Sequence, residues 1–215
     1  MKKILLLLLL IAGVTFSSHA QNDEKAKVIL AGVSKKYKAY DVVKATFSLT
    51  LENPQNQEKD IQQGTLFVQS KSNSYKVMMG SQDIISDGKN QWTYLKQDKE
   101  VQVSLVDKSA DALNPAGIFT LYEKGFKYLY TGEKKEGAKV YQMIDLSPLD
   151  TQKSYFKIRL GIDKSAKQIA SVLIFDKNGN KYNYVVKTFL PVKVPAGTFS
   201  FDVKKYPGVE LVDLR

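Results

Sequence analysis

A chain of 215 residues is long enough for one domain with a sizeable core, and with no cysteine and a single histidine it lacks the material for disulfide scaffolds, thiolate or imidazole metal sites and the usual nucleophilic triads. Its formal charge of +10 is carried almost wholly by lysine, the only arginines being Arg159 and Arg215. Without a clustered basic run, that charge makes a solvated, mildly basic surface and argues against a nucleic-acid partner.

The N-terminus has Lys2-Lys3, an apolar run from Ile4 to Val14, and small residues around Ser18-His19-Ala20. This is the layout of a secretory signal peptide, and the run is too short for a membrane span. Residues 1–20 are therefore expected to be removed, leaving a single soluble, monomeric domain over 21–215 whose charge, without Lys2 and Lys3, is +8. His19 leaves with the leader.

From Asn22 to Tyr40 the spacing is helical: Asn22 or Asp23 can cap the start, and Ile29, Val33 and Tyr37 recur every four residues beside Leu30 and Tyr40. A period-two pattern follows, with Val43, Ala45, Phe47, Leu49 and Leu51 opposite Lys44, Thr46, Ser48, Thr50 and Glu52. Asn53 to Lys59 reads as a polar loop, and strands are expected over Gln63–Gln69 and Tyr75–Met79. Next comes a meander from Ile84 to Leu105, turning at Asp87-Gly88 and Gln97-Asp98, with Trp92 and Tyr94 on one side and Val101, Val103 and Leu105 alternating on the last strand. Its greasy face is the expected centre of the fold.

The β pattern stops between Val106 and Phe126, where Asp107 to Asn114 is polar and Pro115 can open a short helix bearing Ile118, Phe119, Leu121 and Tyr122. Strands resume over Phe126–Tyr130, Val140–Leu146, Tyr155–Asp163, Gln168–Phe175 and Lys181–Leu190, the last pair joined by an Asn178-Gly179 turn. In the third of these, Phe156, Ile158, Leu160 and Ile162 alternate against Tyr155, Lys157 and Arg159. The tail, with Phe199-Ser200-Phe201 and Pro207-Gly208-Val209-Glu210, has no assigned element. The sum is a mainly β fold with helices: an incomplete, half-open antiparallel β-barrel of about eleven strands, with a helical lid over its concave apolar face.

Catalytic chemistry is hard to assemble from these residues. No Gly-rich phosphate loop or dinucleotide fingerprint is present, and the carboxylates available for a glycosidase-type pair, Asp83, Asp87, Asp145 and Asp150, fall at turns and strand ends. No enzymatic activity, cofactor or metal is expected.

In their order along the chain, several short motifs resemble the LolA family of periplasmic outer-membrane lipoprotein carriers. They are Ala45-x-Phe47 after an amphipathic helix, Gly64-x-Leu66-x-Val68, Ser86-Asp87-Gly88-Lys89-x-x-Trp92-x-Tyr94, and the tail from Phe199-x-Phe201 to Gly208-Val209-Glu210. Lys99-Glu100-Val101 and the Asp213-Leu214-Arg215 ending look like the branch found in Bacteroidetes-type bacteria. The resemblance implies a cavity for acyl chains between a half-barrel and its helices, and a carrier without chemistry of its own. Acylated lipoproteins would be the cargo, an inner-membrane lipoprotein-releasing ABC transporter the donor, and an outer-membrane acceptor or the outer membrane itself the destination.

By matching positions, Val43, Ala45, Phe47, Leu49, Leu51, Leu66, Val68, Tyr75, Val77 and Trp92 would bind lipid from the sheet, Ile118, Phe119 and Leu121 from the lid, and Ile29 and Val33 from the first helix. The family's lid-latching arginine, just beyond the strand matching Leu66 to Gln69, is here Ser70 followed by Lys71. Lysine cannot reproduce the planar guanidinium fork. The same fold class also includes periplasmic sensor modules for lipid or mislocalised lipoprotein, an alternative that would call for a signalling partner. The family's outer-membrane acceptor needs a lipid-modified cysteine, which this sequence lacks.

Overall fold

The computed structural model of the chain describes residues 17–55, 58–107 and 117–215. The apolar core of the expected leader and most of the connection containing Pro115 lie outside the described residues. The first element is a helix, α1 (Ser17–Lys38). It is followed by β1 (Val42–Asn53), β2 (Glu58–Gln69), β3 (Ser74–Met79), β4 (Gln82–Ser86), β5 (Asn90–Leu95) and β6 (Glu100–Leu105). Two consecutive 3-10 turns, Gly117–Phe119 and Leu121–Glu123, precede β7 (Phe126–Glu136), β8 (Lys139–Pro148), β9 (Tyr155–Asp163), β10 (Gln168–Asp176) and β11 (Lys181–Pro191). A third 3-10 turn, Val203–Lys205, leads to β12 (Glu210–Asp213).

All twelve described strands form one sheet in the order β12-β6-β5-β4-β3-β2-β1-β11-β10-β9-β8-β7. The edge strands β12 and β7 do not meet, so the sheet is a half-open barrel, as the patterning predicts. Neighbours pair antiparallel except β12, which runs parallel to β6. That strand was not predicted, because four residues with no alternation carry no periodic signal. The expected loop over Asn53–Lys59 is shorter than predicted: β2 begins at Glu58 and pairs along the whole of β1, from Asn53↔Glu58 to Val42↔Gln69.

Register shifts fall at β1/β11 between Thr46 and Phe47, at β9/β10 and at β7/β8 between Tyr130 and Gly132. Such irregularities increase local twist and bend a strand, which curls the sheet. One of them overturns a predicted face. Phe175 pairs with Lys157 while Asp176 pairs with Tyr155, so Phe156 is the extra residue. The bulge turns Phe156 outward at 51% exposure and buries Tyr155 at 3%.

The main core lies on the concave face, where β1 buries Val43, Ala45, Phe47 and Leu49 and β8 to β10 bury Ile144, Leu146, Ile158, Leu160, Ile162, Ile169, Val172 and Ile174. Helix α1 lays Ala26, Leu30, Val33 and Tyr37 against it. Those residues, spaced four, three and four apart, form the single apolar stripe that a surface helix presents to a core. A second, smaller cluster contains Ile85, Val101 and Phe201, with Trp92, Tyr94, Tyr206 and Val209 packed against it. Ile84 packs on the main core and Ile85 on the second. Adjacent strand residues point to opposite faces, so the second cluster lies on the convex side. The meander's greasy face is therefore not the centre of the fold; the C-terminal tail covers it from outside. Val101 and Val103 are buried there, but Leu105, at the strand's end, is 57% exposed.

Candidate functional site

Between the concave face and the segment before β7 lies a cavity of about 560 Å³. Its floor is the apolar side of the sheet: Ala45, Phe47 and Leu49 from β1, Leu66 from β2, Val77 and Met79 from β3, Ile84 from β4, then Ile169, Val172 and Ile174 from β10 and Tyr184 and Val186 from β11. Ile118, Phe119 and Leu121 from the two 3-10 turns close it, together with Phe126 and Tyr155. Phe47 has its place because its partner across the β1/β2 ladder is Gly64. A Cβ at Gly64 would lie 2.3 Å from the tip of the Phe47 ring, so only glycine leaves room for that ring to rest on the sheet.

Eight of the predicted lipid-binding residues line this cavity: Ala45, Phe47, Leu49, Leu66, Val77, Ile118, Phe119 and Leu121. Val43, Val68 and Tyr75 are in the adjoining core, with Ile29 and Leu51 packed against it and Val33 on the buried stripe of α1. Trp92 is on the other face of the sheet, opposite Ile85 across the β4/β5 ladder, and belongs with the tail. Its assignment to the cavity fails because strand parity, and not motif order, decides which way a side chain points. The lining from β10 went unpredicted because the pairing of β10 with β9 shifts between Ile169 and Ser171, which breaks the period-two spacing of Ile169, Val172 and Ile174. The two-residue step from Val172 to Ile174 was the signal available.

The segment over the cavity is fastened to α1. Tyr37 and Phe119 stack with centroids 5.1 Å apart, and Phe119 meets Phe189 edge-on at 5.2 Å. Ser34 Oγ donates to Tyr122 Oη at 3.1 Å, and Tyr128 Oη donates to the Tyr122 carbonyl at 2.6 Å. Lys38 Nζ lies 2.6 Å from one oxygen of Glu123 and 2.9 Å from the other. Burial pushes the Tyr37 hydroxyl up to about 12 and raises that of Tyr122 as well, so both stay neutral. Burial also raises Glu123, but the hydrogen bond and charge of Lys38 lead the opposing influences that hold the carboxyl below its ordinary value. Ser70, at the predicted latch position, does not reach this segment. Its hydroxyl donates to the Tyr40 carbonyl at 2.9 Å and its N–H to the Asp41 carbonyl, closing the link between α1 and β1.

The four candidate carboxylates are dispersed and occupied. Asp87 accepts the N–H groups of Lys89 and Asn90 in the turn where Gly88 has φ +92°. Asp145 takes both arms of Arg159 at 2.6 and 2.8 Å, Asp83 pairs with Lys96 at 2.8 Å, and Asp150 accepts the N–H of Gln152. Among the described residues no group of His, Cys, Asp and Glu is placed to hold a metal ion, and no helix is long and apolar enough to cross a membrane.

Over residues 38–202, more than half of the chain, the sequence matches the family model of the outer membrane lipoprotein carrier protein LolA. The chain belongs to the LolA family. A comparison with curated proteins found no match. Among solved structures, an uncharacterized conserved protein from Thermus thermophilus has the same fold at a TM-score of 0.59 and 13% identity, covering 88% of this chain and 99% of that one. A LolA superfamily protein from Nitrosomonas europaea aligns at 0.47 and 12% identity, over 83% of this chain and 98% of its own. A chain of the Pseudomonas aeruginosa MucA/MucB complex aligns at 0.49 and 11% identity, over 84% of this chain and 62% of that one. The LolA match begins at the last residue of α1 and ends before β12, so most of the covering helix and the edge strand lie outside it.

Proposed function

We propose that this LolA-family protein is a periplasmic carrier that takes the acyl chains of lipoproteins into its concave cavity, from an inner-membrane ABC transporter, and delivers them to the outer membrane. The observation that supports this reading is the apolar cavity itself, roofed by a short segment held to α1 through a few polar and ring contacts. At roughly 30 Å³ per methylene, about the volume of a water molecule in the liquid, 560 Å³ holds one long acyl chain. A chain of some fifteen methylenes left in water costs on the order of 12 kcal/mol, at ~0.8 kcal/mol each, so transfer between membranes needs a sheltered route. A cargo with more chains requires the roof to move, which contacts of this modest strength permit.

Under the same reading residues 1–20 are a leader removed on export. The buried stripe Ala26, Leu30, Val33 and Tyr37 lies wholly within residues 21–215, so cleavage after Ala20 retains it. The test is mass spectrometry of what co-purifies with the protein from its native periplasm, beside a Phe47→Glu variant that puts a charge in the cavity floor. Acylated proteins recovered with the wild type and lost with the variant are the expected result. Free lipid or nothing acylated in the wild-type preparation overturns the carrier reading and turns attention to a sensor role.

A further inference from the structure

The cavity is chemically lopsided. It spans the sheet from β4 to the start of β7, and at the β3–β4 end its lining is wholly apolar, with Val77, Met79 and Ile84. Its charged lining, Lys124, Asp150 and Lys153, is gathered at the opposite end. The exposed lining residues lie there too: Lys124 and Gly125 after the roof segment, and Leu149 and Asp150 after β8. The Leu149 N–H donates to the Gly125 carbonyl at 2.9 Å, which ties the two stretches into one rim. This exposed end is the side open to an entering chain, whose head group would meet Lys124, Asp150 and Lys153 there.

Within the mouth the charges do not cancel. The Asp150 carboxylate accepts the Gln152 N–H at 2.9 Å in a turn of its own. Among the described residues neither Lys124 nor Lys153 forms an ion pair. Lys153 Nζ lies 5.7 Å over the ring of Tyr155, itself part of the lining, which holds the ammonium at the cavity's edge.

Building on the acyl-binding reading above, we propose that the preferred ligand is an acyl chain with an anionic group next to it, held at the mouth by Lys124 and Lys153. Such a group is supplied by the carboxylate or phosphate of a single-chain lipid, or by acidic side chains beside an acylated peptide N-terminus. A neutral head meets a lining with one positive charge in excess, two lysines against Asp150, and a cationic head is repelled by it.

The experiment is displacement of a fluorescent acyl probe from the full mature chain by hexadecanoate, hexadecanol and hexadecyltrimethylammonium, below their micellar concentrations and at low salt. The expected order is anionic, then neutral, then cationic, with about five- to tenfold between the first two, the scale of two partly exposed ion pairs. The Lys124→Gln/Lys153→Gln variant should bind hexadecanol as the wild type does and lose the preference for hexadecanoate. Lys124→Glu/Lys153→Glu should invert the order.

N-palmitoylated peptides carrying Asp-Asp or Lys-Lys after the first residue separate the two sources of the anion. A preference for Asp-Asp that exceeds the one for hexadecanoate assigns the anion to the peptide, and a smaller one assigns it to the lipid. Equal displacement by all three head groups overturns the proposal and leaves acyl binding standing. Failure of every chain to displace the probe removes the acyl-binding reading itself.

Discussion

The two apolar clusters of this sheet are covered in different ways. On the convex side Phe201 stacks on Tyr206 with centroids 4.6 Å apart, both rings meet Tyr94, and the tail goes on to hydrogen-bond along β6. That cover fills its site and adds a strand. On the concave side the roof over β1, β10 and β11 touches α1 through one hydroxyl pair, one ion pair and one ring stack, and encloses space. Packing that fills a face makes structure; packing that spans a face and leaves a cavity makes a site. The neighbours Ile84 and Ile85 belong to one each.

The largest expected effect comes from removing the convex cover. Truncation after Pro195 deletes Phe201, Tyr206, Val209 and β12 and uncovers Ile85, Trp92 and Val101. At about 1.5–3 kcal/mol for each large side chain buried, uncovering these three costs roughly 5–9 kcal/mol, to be read from urea unfolding. The emission of Trp92, the only tryptophan, should move to longer wavelength in the truncated chain. A truncated chain as stable as the full one would mean that the tail is an accessory and not a cover.

On the concave side the corresponding change is smaller and more selective. Gly64→Ala sets a Cβ 2.3 Å from the Phe47 ring tip, and the ring must lift from the sheet into the cavity. Overpacking of this kind costs about 1–3 kcal/mol. Acyl binding should fall by more than the loss of stability explains, because the displaced ring occupies ligand space. A variant that loses stability but binds an acyl probe as the wild type does would show that Phe47 has another way to turn.

The roof contacts come next. Lys38→Met removes an ion pair whose side chains are 56% and 32% exposed, and solvent screening limits its contribution to under about 1 kcal/mol. The expected signature is kinetic: faster exchange of an acyl ligand at nearly unchanged stability. Acid should do the same. The Glu123 carboxyl is held below its ordinary 4.5 in the folded chain, so its stabilising contribution is complete above that value and fades as pH falls through the folded one. Ligand exchange should quicken below about pH 4.5 in the wild type and lose that dependence in Lys38→Met. An exchange rate indifferent to both changes would place the gate elsewhere.

The half-barrel was legible because β1 alternates without a break: Val43, Ala45, Phe47 and Leu49 are all buried on one face. Along β1 the cavity lining was legible from that alternation, and on β9 and β10 it was lost where a bulge intervened. Alternation alone places Phe156 inward, and it points out; Ile169, Val172 and Ile174 do not keep a two-residue period, and they line the site. A bulge adds one residue to one strand, and nothing in that strand's own sequence marks which residue is extra. The fastening of the roof was also invisible, since Ser34 and Tyr122, or Lys38 and Glu123, lie more than eighty residues apart and meet only through the fold.

The smallest expected effect is none, and it separates the two faces most cleanly. Trp92 pairs with Ile85 and Val103 on the convex side, with the sheet between it and the cavity. Saturating the cavity with an acyl ligand should leave its emission maximum unmoved, because neither the tail rings nor the solvent around Trp92 change when the concave side fills. The truncated chain is the positive control, since there the same fluorophore must report. A ligand-induced shift in the full chain, absent after truncation, would mean that filling the cavity flexes the sheet and loosens the tail. The two covers would then be coupled through the strands they share, and the convex cluster would be part of the binding apparatus.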